Sequence, residues 1–85
     1  MSVSVSIIVP CYNVAAYLDQ CMESLTGQSM KDIEIICVND GSSDCTAEIL
    51  REWRNRDRRV RIIDQKNSGV SAARNSGMAA AAGTY

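Results

Sequence analysis

Hydrophobic positions along this chain follow two patterns in turn, and their order predicts an architecture. Ile7-Ile8-Val9 and the stretch Ile33 to Val38 are short apolar runs rich in β-branched residues and bounded by turn-forming residues, as buried strands are. Between them Val14, Leu18, Cys21, Met22 and Leu25 fall at i, i+4, i+7, i+8 and i+11, one stripe along a helix. The first strand is therefore placed over Val5 to Pro10, with Asn13 as cap of the helix that follows and Thr26-Gly27-Gln28-Ser29 as its end. The second strand, Ile33 to Val38, closes on Asn39-Asp40-Gly41-Ser42-Ser43-Asp44, a tight turn by composition. Its helix is expected to start near Ser43 or Asp44, where an oxygen offsets the positive helix end, and to turn Ala47, Ile49, Leu50 and Trp53 inward. Val60-Arg61-Ile62-Ile63 reads as a third strand. Asn67-Ser68-Gly69 then leads into a last helix, Val70 to Ala82, with Gly83 as a stop signal. Ala73, Gly77 and Ala80 give that helix a face of small residues that can lie close against a neighbour.

Strands that alternate with helices imply a parallel sheet with right-handed crossovers. The expected fold class is α/β: a three-layer, Rossmann-like half domain of three β-α units with strand order 3-2-1. In that order the first strand lies at an edge, although Ile7-Ile8-Val9 is as apolar as a central strand. An edge of that kind invites pairing with another chain, so either more sequence belongs beside it or the chain self-associates. Asp40 is placed at the carboxyl end of a parallel strand, where open α/β sheets hold their ligands.

Composition narrows the classes. With 85 residues, 46% of them hydrophobic and 22% charged, the chain is one soluble domain or a piece of one. A net charge of −1 gives no general reason to bind nucleic acid. Seven of the nine basic residues fall between Arg51 and Lys66; they read as the solvated end of a helix, or else as a contact with an anionic surface or a neighbouring segment. Cys11, Cys21, Cys37 and Cys45 show no C-x-x-C spacing and there is no His, so a zinc site is not indicated. Cys21 and Cys37 occupy apolar positions, as buried free thiols do, and the set reads as reduced and cytosolic. No run approaches the roughly 20 apolar residues of a membrane span, and no basic region precedes the first apolar run as in a signal peptide.

Three blocks carry a resemblance: Ser6-Ile7-Ile8-Val9-Pro10-Cys11-Tyr12-Asn13, then Val38-Asn39-Asp40-Gly41-Ser42-Ser43-Asp44, then Asn67-Ser68-Gly69-Val70-Ser71-Ala72-Ala73-Arg74-Asn75-Ser76-Gly77. In order and spacing they resemble family 2 glycosyltransferases over nearly the whole chain. The resemblance implies residues 1–85 as the N-terminal, nucleotide-sugar-binding part of an incomplete GT-A fold. It also implies a nucleotide-diphospho-sugar donor, a UDP-sugar first, and inversion at the anomeric carbon. It places Pro10, Tyr12, Asn13, Asp40 and Arg74 at the donor's nucleotide. Tyr12 matches an aromatic that packs on the base, a contact worth about 1–3 kcal/mol; its other reading is a half-buried loop tyrosine. Pro10 shapes the pocket floor or simply ends the strand. Asp40 matches the carboxylate that accepts from the uracil N–H or ribose hydroxyls, against the reading of a turn residue serving backbone. Arg74 matches an arginine near base and diphosphate, or is an exposed helix arginine. Asn39 stands where the family often has a second acid. Asp44, Ser42 and Ser43 read as caps, and Asn75 and Gly77 as packing residues.

The family's Asp-x-Asp motif, which holds Mg²⁺ or Mn²⁺ at the departing diphosphate, is expected on a fourth strand beyond Gly83-Thr84-Tyr85, and the acidic base further on. The chain alone is thus expected to bind no metal and to be inactive. The leading reading is the donor-binding portion of an inverting glycosyltransferase that transfers a sugar to a saccharide, lipid or protein. Its expected setting is cell-envelope polysaccharide synthesis in the cytoplasm, at the cytosolic face of the membrane where it associates there. The alternative is a non-catalytic nucleotide-binding or interaction module built on the same half fold. A phosphoacceptor receiver lacks its acid pair in Pro10-Cys11-Tyr12-Asn13, and no G-x-G-x-x-G follows the first strand as a dehydrogenase fold requires.

Overall fold

In the computed structural model, which describes residues 5–27 and 32–81, the chain runs β1 (Val5–Cys11), α1 (Ala15–Thr26), β2 (Ile33–Asp40), α2 (Thr46–Arg56), β3 (Val60–Gln65) and α3 (Val70–Ala80). The three strands form one parallel sheet with β2 in the centre, the expected order read from the opposite edge. Val5 pairs with Ile33 and Cys11 with Asn39; Ile35 pairs with Val60 and Asp40 with Gln65.

Residue parity along β2 explains the layers. Ile33, Ile35 and Cys37 point to one face and join Leu18 and Met22 of α1 with Leu50 and Trp53 of α2. Ile36 and Val38 point to the other and meet Ala73 of α3. A strand covered on both faces needs an unbroken apolar run, and every residue of β2 is buried. At the strand tip the same parity sends Asn39 towards the α1/α2 layer and Asp40 towards α3.

Small faces and polar ties hold α3 in place. A Cβ at Gly77 would sit 2.5 Å from Ile8 Cγ2, so the absence of a side chain there lets the helix lie directly on β1. Below it, buried Glu34 accepts from Ser6 Oγ at 2.6 Å and from Arg61 Nη1 at 3.0 Å, and Arg61 also reaches the Ala80 carbonyl at 3.0 Å. On the opposite layer, Trp53 Nε1 donates to Asp19 Oδ1 at 2.8 Å and ties α2 to α1.

Several expectations need correction. α2 begins at Thr46, two or three residues later than the turn hydroxyls suggest, and β1 and β3 run on to Cys11 and Gln65. Cys21 is exposed while Cys37 is buried, because the stripe that faces the sheet is the narrower Leu18–Met22 one. Asn75 is exposed, since the buried face of α3 is that of Ala73 and Gly77. The expected ends at Gln28-Ser29 and at Ala82-Gly83 lie outside the described residues.

Candidate nucleotide site at the strand tips

A cavity of about 260 Å³ opens at the carboxyl ends of the strands, lined by Pro10, Cys11, Tyr12, Asp40, Asn67, Gly69, Val70 and Ala73. It lies where β1 and β2 end and α3 begins, so each wall comes from a different β-α unit. Pro10 and Cys11 close the floor, and Tyr12, half exposed at 52%, offers a ring at the rim. Val70 and Ala73 supply the apolar wall from the first turn of α3.

Asp40 is buried and already at work. Its Oδ1 accepts from Gln65 Nε2 at 2.8 Å and from the Ser68 N–H at 2.9 Å, and its Oδ2 accepts from the Gly69 N–H at 3.0 Å. Gln65 is fixed in turn by Ser76 Oγ, which donates to its Oε1 at 2.6 Å. The Gln65 amide, helped by the two backbone N–H groups and opposed by burial, holds the Asp40 carboxyl below its ordinary range. A carboxylate at the N-terminal end of α3 is also favoured by the helix dipole. With about four lone-pair positions on an ionised carboxylate, one on Oδ2 remains for an outside donor.

Gly41 has φ +69°, and a Cβ there would lie 2.7 Å from the Asn67 backbone nitrogen. This glycine is needed both for its backbone conformation and for the close approach of the β3–α3 turn. Asn67 Nδ2 completes the contact by donating to the Asp40 carbonyl at 3.2 Å. Asn39 donates from Nδ2 to Asp64 Oδ1 at 3.0 Å and accepts the Ser42 N–H on Oδ1 at 3.2 Å. An acid at this position would set two carboxylates face to face across β2 and β3, which accounts for the amide.

Asn13 has φ 51° and does not cap α1; no side chain of that helix's own N-terminus does. Its Oδ1 instead accepts the Ser43 N–H at 2.8 Å, while its own N–H donates to Ser42 Oγ at 3.0 Å. The Val14 N–H goes to Thr46 Oγ1 at 3.1 Å and the Ala15 N–H to Asp44 Oδ2 at 3.3 Å. Asp44 Oδ1 accepts the Thr46 N–H at 3.0 Å, so Asp44 is a cap as expected, but of two helices; Ser42 and Ser43 face Asn13 rather than α2. The Thr46 hydroxyl foremost, with the Thr46 and Ala15 amides, holds the Asp44 carboxyl below its ordinary range.

Of the five residues singled out, Pro10, Tyr12 and Asp40 share the cavity. Asn13 stands behind Tyr12 in the loop. Arg74 is elsewhere: it is exposed and lines a shallow groove with Ser6, Ile7, Ile8 and Met78 along the free edge of β1. A helix that buries Ala73 turns its next residue sideways, which separates Arg74 from the lining. Sequence reasoning missed the set that organises Asp40, namely Gln65, Ser68 and Gly69. Their only signal was the turn composition of Asn67-Ser68-Gly69. The four cysteines are unpaired; Cys37, beside the Cys11 thiol and buried, has its thiol pushed well up and stays protonated.

The comparisons with known proteins agree with this geometry. The uncharacterized glycosyltransferase EpsJ of Bacillus subtilis (strain 168) is 53% identical over 81 residues, which are 95% of this chain and 24% of that protein. Glycosyltransferase GlyA of Streptococcus pneumoniae is 47% identical, over 95% of this chain and 12% of that protein. The chain thus spans a quarter or less of the length of these relatives. The structure of S. aureus TarS 1–349 in complex with UDP-GlcNAc superposes with a TM-score of 0.87 at 31% identity, over 94% of this chain and 24% of that one. The mannosyltransferase PcManGT from Pyrobaculum calidifontis, in complex with GDP-Man and Mn²⁺, shares the fold with a TM-score of 0.84 at 22% identity. The sheet order, its helices on both faces and these neighbours identify the half fold as that of GT-A enzymes. The model of glycosyl transferase family 2 matches residues 6–85, and the chain belongs to that family.

Proposed function

We propose that this chain is the donor-recognition part of an inverting glycosyltransferase, and that its strand-tip cavity takes the nucleoside of a nucleotide-diphospho-sugar, a UDP-sugar first. One observation supports this most: an aromatic rim, an apolar wall and a buried carboxylate with one free acceptor position converge on one cavity. Small-molecule pockets run from about 300 to 1,000 Å³, so a space of about 260 Å³ suits a nucleoside, with diphosphate and sugar extending outward. Tyr12 would stack on the base, Asp40 Oδ2 would accept from the uracil N–H or a ribose hydroxyl, and Pro10 would hold the floor. Arg74 would reach the donor only by extending over the edge of β1. That S. aureus TarS binds UDP-GlcNAc and UDP supports UDP as the first probe.

The divalent cation that this chemistry uses, Mg²⁺ or Mn²⁺, neutralises the leaving diphosphate when bound. Among the described residues no three His, Cys, Asp or Glu side chains converge to hold one. In this reading the ion and the acidic base would be supplied by residues of a longer enzyme. The acceptor in that enzyme would be a saccharide, lipid or protein, with cell-envelope polysaccharide synthesis in the cytoplasm as the setting. Among the described residues no helix is long and apolar enough to cross a membrane. The free edge of β1 would be covered by a further strand or by a second copy.

A second reading has one observation in its favour. Asp40 already holds the β3–α3 turn through three protein hydrogen bonds, so it could be a purely structural tie in a non-catalytic module. Calorimetric titration with UDP separates the two. The chain is expected to bind, and Asp40→Asn, which keeps the size but reduces the acceptor capacity, to bind at least tenfold more weakly (an order-of-magnitude value for a charged hydrogen bond). Equal affinity in a folded Asp40→Asn chain would remove Asp40 from the site.

A further inference from the structure

Three consecutive amides of the β1–α1 loop are satisfied entirely by side chains of the β2–α2 segment: Asn13 N–H by Ser42 Oγ, Val14 N–H by Thr46 Oγ1 and Ala15 N–H by Asp44 Oδ2. The first amides of a helix have no partners inside it, and a helix usually caps itself. Here α1 borrows its cap from another β-α unit about thirty positions away, as its bonds between residues 13 and 42 or 15 and 44 show. The return bond runs from the Ser43 N–H to Asn13 Oδ1 at 2.8 Å, with the Ser43 hydroxyl against the same oxygen at 3.4 Å. Thr46, which anchors the middle of the set, is fully buried. Asn13 is the only non-glycine with positive φ among the described residues, at 51°. Asparagine tolerates that region better than most residues, and the conformation is what aims its amide across the gap.

The two loops joined in this way each carry one half of the recognition pair. Tyr12 directly precedes Asn13, and Asp40 lies two residues before Ser42. We infer that Asn13, Ser42, Asp44 and Thr46 are positioning residues: the interlock fixes the Tyr12 ring relative to the Asp40 carboxylate, and nucleoside affinity depends on it although none of the four lines the cavity. The inference rests on the nucleotide reading above. It assigns Asn13 a role behind the ligand rather than against it, because Asn13 does not line the cavity and its amide N–H and side-chain oxygen both bond the second loop.

Three substitutions at one position separate the bond from the backbone. Asn13→Gly keeps the positive φ and deletes the oxygen; Asn13→Asp keeps both; Asn13→Ala loses both. Uridine is the probe, since it carries no charge to be repelled by the added aspartate. Amide exchange of Ser43 in the free chain reports the interlock without any ligand. The expected result is that Asn13→Gly loses Ser43 protection and binds uridine about fivefold more weakly, the scale of one modest hydrogen bond, with a near-native melting temperature. Asn13→Asp should restore both readouts, and Asn13→Ala should lose both. A merely structural role would lower the melting temperature and leave the affinity of the folded chain unchanged. Asn13→Gly with wild-type affinity despite lost protection, or with protection retained, would overturn the inference while leaving the nucleotide reading intact. A wild-type chain that binds neither uridine nor UDP would overturn both.

Discussion

Two readings meet at Asp40. The turn after β2 suggests an acid that serves backbone, and the family resemblance suggests an acid that serves a nucleotide. The structure shows the first, with Gln65, Ser68 and Gly69 as partners, and leaves one acceptor position for the second. That Asp40 sits at a strand tip was legible from the apolar run that ends just before it and the turn residues that follow. Its partners were not, because those bonds join positions 25–30 apart and depend on the sheet register. Asn13 illustrates the same limit. A residue type suited to local capping is equally suited to a long-range bond, and only the fold decides between them. The charge state of these groups gives a test. Asp40, Asp44 and Asp57 are held below their ordinary values, by the Gln65 amide, the Thr46 hydroxyl and the Arg59 guanidinium respectively. A depressed folded value contributes stability that is complete above the unfolded value, near pH 4, and is lost as pH falls through the folded value. Thermal melts should therefore hold a constant midpoint from neutral pH to about pH 5 and fall below about pH 4. A midpoint that rose on acidification through that window would contradict the carboxylate ties.

Among the elements, α3 joins the cavity wall to the sheet. Its small face predicted close packing, and the described contacts place Ala73 and Gly77 against the sheet. The position of Arg74 did not follow, since a motif match fixes sequence position but not the direction of a side chain. The helix is tied at its start through the Gly69 N–H to Asp40 and at its end through Arg61 to the Ala80 carbonyl. Both ties and the Gly77 approach must hold for Val70 and Ala73 to form the cavity wall. Gly77→Ala tests that geometry. Alanine should favour the isolated helix by about 1 kcal/mol, while a Cβ at 2.5 Å from the β-branched Ile8 forces a shift costing about 1–3 kcal/mol. Denaturant unfolding is expected to show a net loss of stability, together with weaker UDP binding. A stabilised variant would mean that α3 does not lie as close to β1 as described.

At the scale of the whole molecule, the sheet formed by the described residues has one strand paired on both sides and two edge strands. β3 carries Arg61 and Asp64 on exposed positions, charges that discourage edge pairing. Among the described residues β1 offers Ile7, Ile8 and Val9, positions without charge, next to the groove that holds Arg74 and Met78. The conflict is visible in the sequence itself, an edge position with a central strand's composition. The 85-residue chain is expected to self-associate as concentration rises, and light scattering should show a mass that grows with concentration. A monodisperse monomer at high concentration would show that the edge is covered within the protomer.

A nucleoside cradle at the strand tips is tested most directly by amide NMR during a UDP titration. Saturable shifts are expected at Tyr12, Asp40, Gly69 and Val70, with the α1–α2 tie at Asp19 and Trp53 undisturbed. An unchanged spectrum at millimolar UDP, or shifts confined to the Arg74 groove along β1, would contradict it.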